Sequence, residues 1–129
     1  MVRAKKIIAA CCLMLLLGGC VNAEAEGYTQ VSSEEAAQLM EEHADEIVLD
    51  VRTPEEYAQA HIPEAINVPN EEIGDTHPAA LPDKDQLILV YCRSGNRSKQ
   101  AAQKLADLGY TNIVEFGGIR DWQGETVAS

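Results

Sequence analysis

Cations, thiols and long apolar runs are all scarce in this chain, and each shortage narrows what it does. Its 129 residues hold 10 Lys and Arg against 21 Asp and Glu, a net charge of −11. Three of the cations, Arg3, Lys5 and Lys6, fall at the very start; residues 20–129 then carry 10 − 3 = 7 cations against the same 21 acids, a net −14. So acidic a body repels phosphate backbones and anionic lipid surfaces, which excludes nucleic acid as a partner. Histidine is limited to His43, His61 and His77. His43 and His77 show no ligand spacing with any cysteine or carboxylate, so neither a metal nor another cofactor is expected. Internal repeats and low-complexity segments are absent.

The longest apolar stretch, Ile7 to Leu17, is too short to span a bilayer comfortably. A basic start precedes it, and Leu17-Gly18-Gly19-Cys20 closes it with small residues directly before a cysteine. This pattern resembles a bacterial lipoprotein signal. The resemblance implies cleavage between Gly19 and Cys20, with residues 1–19 as the signal peptide and acyl chains on Cys20. Residues 20–27 then form a lipidated cysteine and short tether, and 28–126 the folded domain. Two or more chains anchor stably where one does not. The expected location is the bacterial cell envelope, lipid-anchored, with the domain outside the cytoplasm. An uncleaved signal anchor is the alternative the residues leave open.

The thiols then resolve. Cys11 and Cys12 leave with the signal and Cys20 is acylated, so Cys92 is the free thiol of the domain and no intrachain disulfide forms. An unpaired thiol in an exported protein is expected to be reactive. A buried structural cysteine is the bland alternative, but Cys92 stands in a polar Arg, Ser, Gly and Asn loop.

That loop is the most informative segment. Gln86-Leu87-Ile88-Leu89-Val90-Tyr91 is an apolar, strand-type run leading into Cys92-Arg93-Ser94-Gly95-Asn96-Arg97-Ser98, and a helix-like stretch from Ser98 to Leu105 leaves it. A cysteine at a strand end, a Gly-containing turn and a helix start make a cradle of backbone N–H groups aimed at the sulfur. Unpaired N–H groups and the helix dipole favour negative charge there, and so the thiolate. Three of the seven cations past residue 19, Arg93, Arg97 and Lys99, lie within seven residues of Cys92. A cationic pocket on an acidic body points to a small anionic substrate.

Around the loop the chain alternates strand and helix. Val31 ends a short apolar entry, and Ser32-Ser33-Glu34-Glu35 offers a capping box before Ala36 to Met40. Ile47 to Val51 reads as a strand buried on both faces. Thr53-Pro54-Glu55-Glu56 supplies an N-cap, a proline at the first helical position and acids in the first turn. Ala65 to Pro69 is a shorter strand, and Asn70 to Asp85 a polar connection with room for a short helix. Ala101, Ala102, Leu105 and Leu108 share a helix face that ends at Gly109, a left-handed cap. Asn112 to Phe116 is the last strand, Gly117-Gly118 a tight turn, and Ile119 to Trp122 opens a final short helix. Such alternation implies an α/β domain with a parallel sheet, helices on both faces and a site at the strand carboxyl ends.

In this order the blocks resemble a single-domain rhodanese, a sulfurtransferase. Leu49-Asp50-Val51-Arg52-Thr53-Pro54-Glu55-Glu56-Tyr57, His61 to Pro69, Cys92 to Ser98 and Gly117 to Trp122 carry the likeness, over roughly residues 28 to 124. Ala60 and Glu64 depart from it, standing where the family has Gly beside His-Ile-Pro. The resemblance implies a five-stranded parallel sheet and persulfide chemistry on Cys92. Arg93, Ser94, Gly95, Asn96, Arg97 and Ser98 would cradle the persulfide and substrate, and Asp50 and Arg52 would support the site. Asp50 and Arg52 are read as bracing neighbouring loops more than acting on substrate, His61 as a loop-fixing hydrogen bonder, and Trp122 as a core or pocket-wall residue. Arg97 is split between scaffold and substrate binding. The implied partners are a small anionic sulfur donor such as thiosulfate and a thiol or cyanide acceptor, with the domain acting as a monomer.

Three alternatives compete. Phosphatases and arsenate reductases also join Cys, a loop and Arg, but with five residues between Cys and Arg; here there are four, Arg93 to Asn96. That smaller cradle suits one sulfur atom rather than a tetrahedral phosphate. A non-catalytic rhodanese-like adaptor typically lacks the cysteine, which is kept here. A disulfide reductase needs a second thiol to resolve the mixed disulfide.

Overall fold

The computed structural model describes residues 27–129 of the chain. The signal-type segment, Cys20 and most of the tether lie outside the described residues. Among the described residues, no helix is long and apolar enough to cross a membrane.

Two capping boxes start the first two helices where the sequence puts them. After strand β1 (Thr29–Gln30), Ser32 Oγ accepts from the Glu35 amide at 3.1 Å and Glu35 Oε1 accepts from the Ser32 amide at 3.0 Å, opening α1 (Ser33–Glu42). Strand β2 (Ile47–Asp50) leads to Thr53, whose hydroxyl and the Glu56 carboxylate cap α2 (Pro54–Gln59) in the same reciprocal way. Each box satisfies two donors that a helix start otherwise leaves open. Strand β3 (Ile66–Asn67) and a 3-10 turn (Asn70–Glu72) follow. Then come β4 (Ile88–Cys92), α3 (Asn96–Asp107), β5 (Ile113–Gly118) and a second 3-10 turn (Ile119–Asp121).

The strands form one parallel sheet in the order β1-β5-β4-β2-β3, the expected five-stranded α/β architecture. β4 is central and buried along its whole length. Its side chains alternate between two cores, as a period of two requires. Ile88, Val90 and Cys92 pack with Leu49, Val51 and the α3 residues Ala101, Ala102 and Leu105, and Leu108 adds partly buried surface to the same face. Leu89 and Tyr91 pack with Val48, Val114, Phe116 and Ala36 of α1, with Tyr57 of α2 against the edge. Gly109 (φ +101°) ends α3 as the left-handed cap.

The boundaries differ from expectation where the site is built. The last strand does not stop at Phe116; it runs through Gly117 and Gly118, so the pair is strand backbone and not a tight turn. Between Val90 and Cys92 the β4–β5 register slips, so that Val90 faces Glu115 but Cys92 faces Gly118. The extra β5 residue is a bulge, a device that re-aims side chains beside a site; Gly117 there has φ +90°. Helix α3 begins at Asn96 rather than Ser98. Beyond residue 126, His61 and Val127 exchange two 2.8 Å backbone hydrogen bonds and the Ser129 amide donates to Ala58 at 2.9 Å.

Candidate active site

Cys92 is the last residue of the central strand and is 1% exposed. Three residues on, Gly95 takes φ +112°, the left-handed region that favours glycine, and caps α3. This turn brings the Gly95 amide to the sulfur, donating to Cys92 Sγ at 3.0 Å. The next amides, of Asn96, Arg97 and Ser98, belong to the first turn of α3 and have no acceptor within the helix. The sulfur therefore sits at a strand carboxyl end, where a glycine turn and a helix start favour negative charge.

Ser98 and Glu115 complete the surroundings of the sulfur. Cys92 Sγ–H donates to Ser98 Oγ at 3.4 Å, and Ser98 Oγ lies 2.5 Å from Glu115 Oε2. The Gly117 amide donates to the same carboxylate oxygen at 2.9 Å. Ser98 is fully buried and Glu115 is 2% exposed. Sequence reasoning missed Glu115. The signal was there: in Ile113-Val114-Glu115-Phe116 it is the lone charged residue of a buried strand. Val114 and Phe116 point to one core and Ile113 to the other, so Glu115 points towards α3.

Asp50 and Arg52 form a brace on the other side of the sheet. Arg52 Nη2 meets Asp50 Oδ2 at 2.6 Å and also donates to the Ala60 carbonyl at 2.6 Å. Burial works against the Arg52 charge, but Asp50, with Tyr91 and Glu56 adding to it, holds the guanidinium above its ordinary range. Tyr91 Oη donates to Asp50 Oδ2 at 2.7 Å and accepts from the Ile62 amide at 3.1 Å. Burial, reinforced by Asp50, pushes the Tyr91 hydroxyl well up, so it stays a neutral donor. His61 stacks on Tyr57 at 3.8 Å between ring centroids, its Nδ1 2.8 Å from the Tyr57 carbonyl. These groups tie the β2, α2 and β3 connections together.

The arginines separate. Arg97 is held by a two-pronged pair with Glu56 of α2, at 2.8 and 3.1 Å. This hydrogen bonding is the main cause of a Glu56 carboxyl held down to about 2, and of an Arg97 guanidinium held above its ordinary range, to which Cys92 also contributes. Arg93 is exposed and has no ion-pair partner among the described residues. It lines a cleft of about 430 Å³ with Arg52, Arg120, Gln59, Thr126 and Glu56, whose carboxylate is already paired with Arg97. Arg120, which sequence reasoning also missed, is brought there by its amide donating to the Arg93 carbonyl at 3.2 Å. Ser94 on the loop and Asn96 at the start of α3 are exposed, while Gly95 between them is buried. Trp122 packs on Phe116 and walls a separate groove of about 580 Å³ with Lys99 and Glu115. Among the described residues, no group of three or more His, Cys, Asp or Glu is arranged to hold a metal ion.

The chain is similar to known proteins over much of its length. A family model for the rhodanese-like domain matches residues 32–125. The thiosulfate sulfurtransferase PspE of Escherichia coli K12 is 42% identical over 73 residues, 57% of this chain and 70% of that protein. The thiosulfate sulfurtransferase GlpE of Pseudomonas entomophila is 36% identical over 104 residues, covering 77% of this chain and 92% of its own. Among solved structures, a rhodanese with anions from E. coli superposes with a TM-score of 0.60 at 39% identity, over 65% of this chain and 99% of that one. A human single-domain sulfurtransferase superposes with a TM-score of 0.65 at 30% identity, over 74% and 97% respectively.

Proposed function

The chain belongs to the rhodanese-like family and is a rhodanese-type sulfurtransferase, and from that premise we propose that it moves a sulfane sulfur from an anionic donor such as thiosulfate to a thiol or cyanide acceptor through a persulfide on Cys92. The observation that carries this reading is the Gly95 amide donating to Cys92 Sγ at 3.0 Å at the start of α3.

The Cys92 thiolate attacks the outer sulfur of the donor. A Cys92 sulfur–sulfur bond forms, the donor's own sulfur–sulfur bond breaks, and its electron pair leaves with sulfite. The acceptor then attacks the outer sulfur of the persulfide and returns Cys92 to its thiolate, a two-step covalent cycle. The negative charge of each intermediate stays at the Gly95 amide and the open first turn of α3, which need no reorganisation to receive it. Arg93 and Arg120 in the cleft suit the donor's anionic oxygens. Arg97, engaged by Glu56, fixes the loop instead, and the Asp50–Arg52 pair braces its neighbours.

The names of the two bacterial relatives support turnover over the adaptor reading. The proposal extends to a monomeric domain tethered in the cell envelope through acyl chains on Cys20, on the strength of the Leu17-Gly18-Gly19-Cys20 motif. Initial rates of thiocyanate formation, with thiosulfate and cyanide varied together, test the covalent route. Parallel double-reciprocal lines are expected; converging lines would contradict it.

A further inference from the structure

A buried carboxylate stands two hydrogen bonds from the nucleophile, and the proposed sulfur transfer does not otherwise use it. The donors and acceptors run in one direction: Cys92 Sγ–H to Ser98 Oγ at 3.4 Å, then Ser98 Oγ–H to Glu115 Oε2 at 2.5 Å. A serine hydroxyl has one proton to give. The Gly95 and Gly117 carbonyls compete for it at 3.1 and 3.3 Å, but the carboxylate is both nearer and charged. The hydroxyl proton is therefore committed to Glu115, and the Ser98 lone pairs are left for the thiol. Glu115 has no ion-pair partner among the described residues, and a buried charge without one is costly. A glutamine would meet the same two donors, Ser98 Oγ–H and the Gly117 N–H, without that cost. What glutamate adds is the capacity to take a proton.

We propose that Glu115, acting through the Ser98 hydroxyl, accepts the proton of the Cys92 thiol and so generates the thiolate. The thiol proton passes to Ser98 Oγ while the hydroxyl proton passes to Glu115 Oε2. The S–H bond breaks, an O–H bond forms on the carboxylate, and no electrons are transferred. The product pairs a thiolate with a neutral carboxylic acid, so two buried anions never coexist. Ser98 Oγ–H now donates to the sulfur, and Glu115 O–H donates to Ser98. Glu115 is thus a positioning residue, reaching the reacting sulfur only through Ser98.

The other charged groups around the relay are few. Arg93 follows Cys92 in the loop, and Arg97 of α3, whose own charge Cys92 favours, is paired with Glu56 of α2. Lys99 of α3, Glu34 of α1 and Asp121 line the groove that Glu115 borders. The Asp50–Arg52 pair lies across the sheet with Tyr91.

The inference rests on the sulfurtransferase reading, so its test uses a readout that needs no sulfur donor. Iodoacetamide alkylation of Cys92 in the full chain is followed against pH from the mass of the peptide that carries it. Glu115→Gln and Ser98→Ala should each move the midpoint of alkylation upward by about one pH unit, with an alkylation rate about tenfold lower at neutral pH. A midpoint that stays put, or moves down because a standing negative charge has been removed, would overturn the relay. If Glu115→Gln does not fold, Ser98→Ala carries the test alone, since it severs the path and leaves the carboxylate. Thiocyanate formation by the wild-type chain is measured in parallel. Its absence would count against the sulfurtransferase reading, whereas unmoved midpoints with active wild type count against Glu115.

Discussion

Gly118 packs against the backbone of Arg93 so closely that a Cβ at residue 118 would lie 1.9 Å from the Arg93 carbonyl oxygen and 2.6 Å from the Ser94 Cα. Its backbone is extended, with φ −135°, so alanine is excluded by space and not by conformation. The β5 strand thus presses directly on the loop that follows Cys92. Gly118→Ala must push the loop away, moving the Gly95 amide off the sulfur. Thiocyanate formation should fall at least tenfold, while overpacking costs about 1–3 kcal/mol of stability, read by urea unfolding. Wild-type activity in a folded Gly118→Ala chain would show that this contact does not set the loop.

The cleft arginines should act on the donor more than on the fold. Arg93→Ala should raise KM for thiosulfate several-fold, about 1 kcal/mol for a lost charged contact, with kcat little changed. Arg120→Ala should do the same to a smaller degree. Steady-state kinetics with both variants check this, and an unaltered KM in both would return them to solvated surface.

What the sequence made legible was local. Ser32 with Glu35, and Thr53 with Glu56, are separated by three residues, and those signals locate helix starts without knowledge of the fold. The apolar run before Cys92 likewise marked a strand, which the fold has as β4, and the loop chemistry marked Cys92 as the candidate nucleophile. What was missed depends on contacts between distant residues. Arg97 meets Glu56 across 41 positions and Ser98 meets Glu115 across 17, so neither pairing has a spacing to read. Gly117-Gly118 was misread because paired glycines commonly mark turns, whereas here one supplies a bulge conformation and the other a close approach.

Acid stability should report the Glu56–Arg97 pair. The Glu56 carboxyl is held at about 2 in the fold against an ordinary 4.5, chiefly by Arg97. The unfolded chain binds this proton more readily, so the stabilisation is fully present above about pH 4.5 and is lost as pH falls towards 2. Both side chains are partly exposed, which limits the gain to on the order of 1 kcal/mol. Glu56→Gln should be less stable by that amount at neutral pH and show a flatter decline through the acid window. Urea unfolding across pH checks it, and wild-type and variant curves that stay parallel would count against the pair.

Cys20→Ser should block lipidation and signal processing, leaving a precursor of higher apparent mass. Wild-type chain should fractionate with membranes and resist salt and carbonate washing, because acyl burial and not charge holds it. Sulfur transfer should survive the substitution, since Cys20 precedes the domain. Unlipidated wild-type protein cleaved elsewhere than before Cys20 would contradict the anchor.

The central claim is that Cys92 carries the sulfur, and intact-mass spectrometry of the chain after incubation with thiosulfate tests it most directly. The wild type should gain the mass of one sulfur atom, lose it again on addition of cyanide, and release thiocyanate as it does so. Cys92→Ser should show neither the added mass nor thiocyanate. A sulfur adduct or sustained turnover in Cys92→Ser, or an unmodified wild type that still forms thiocyanate, would contradict the account.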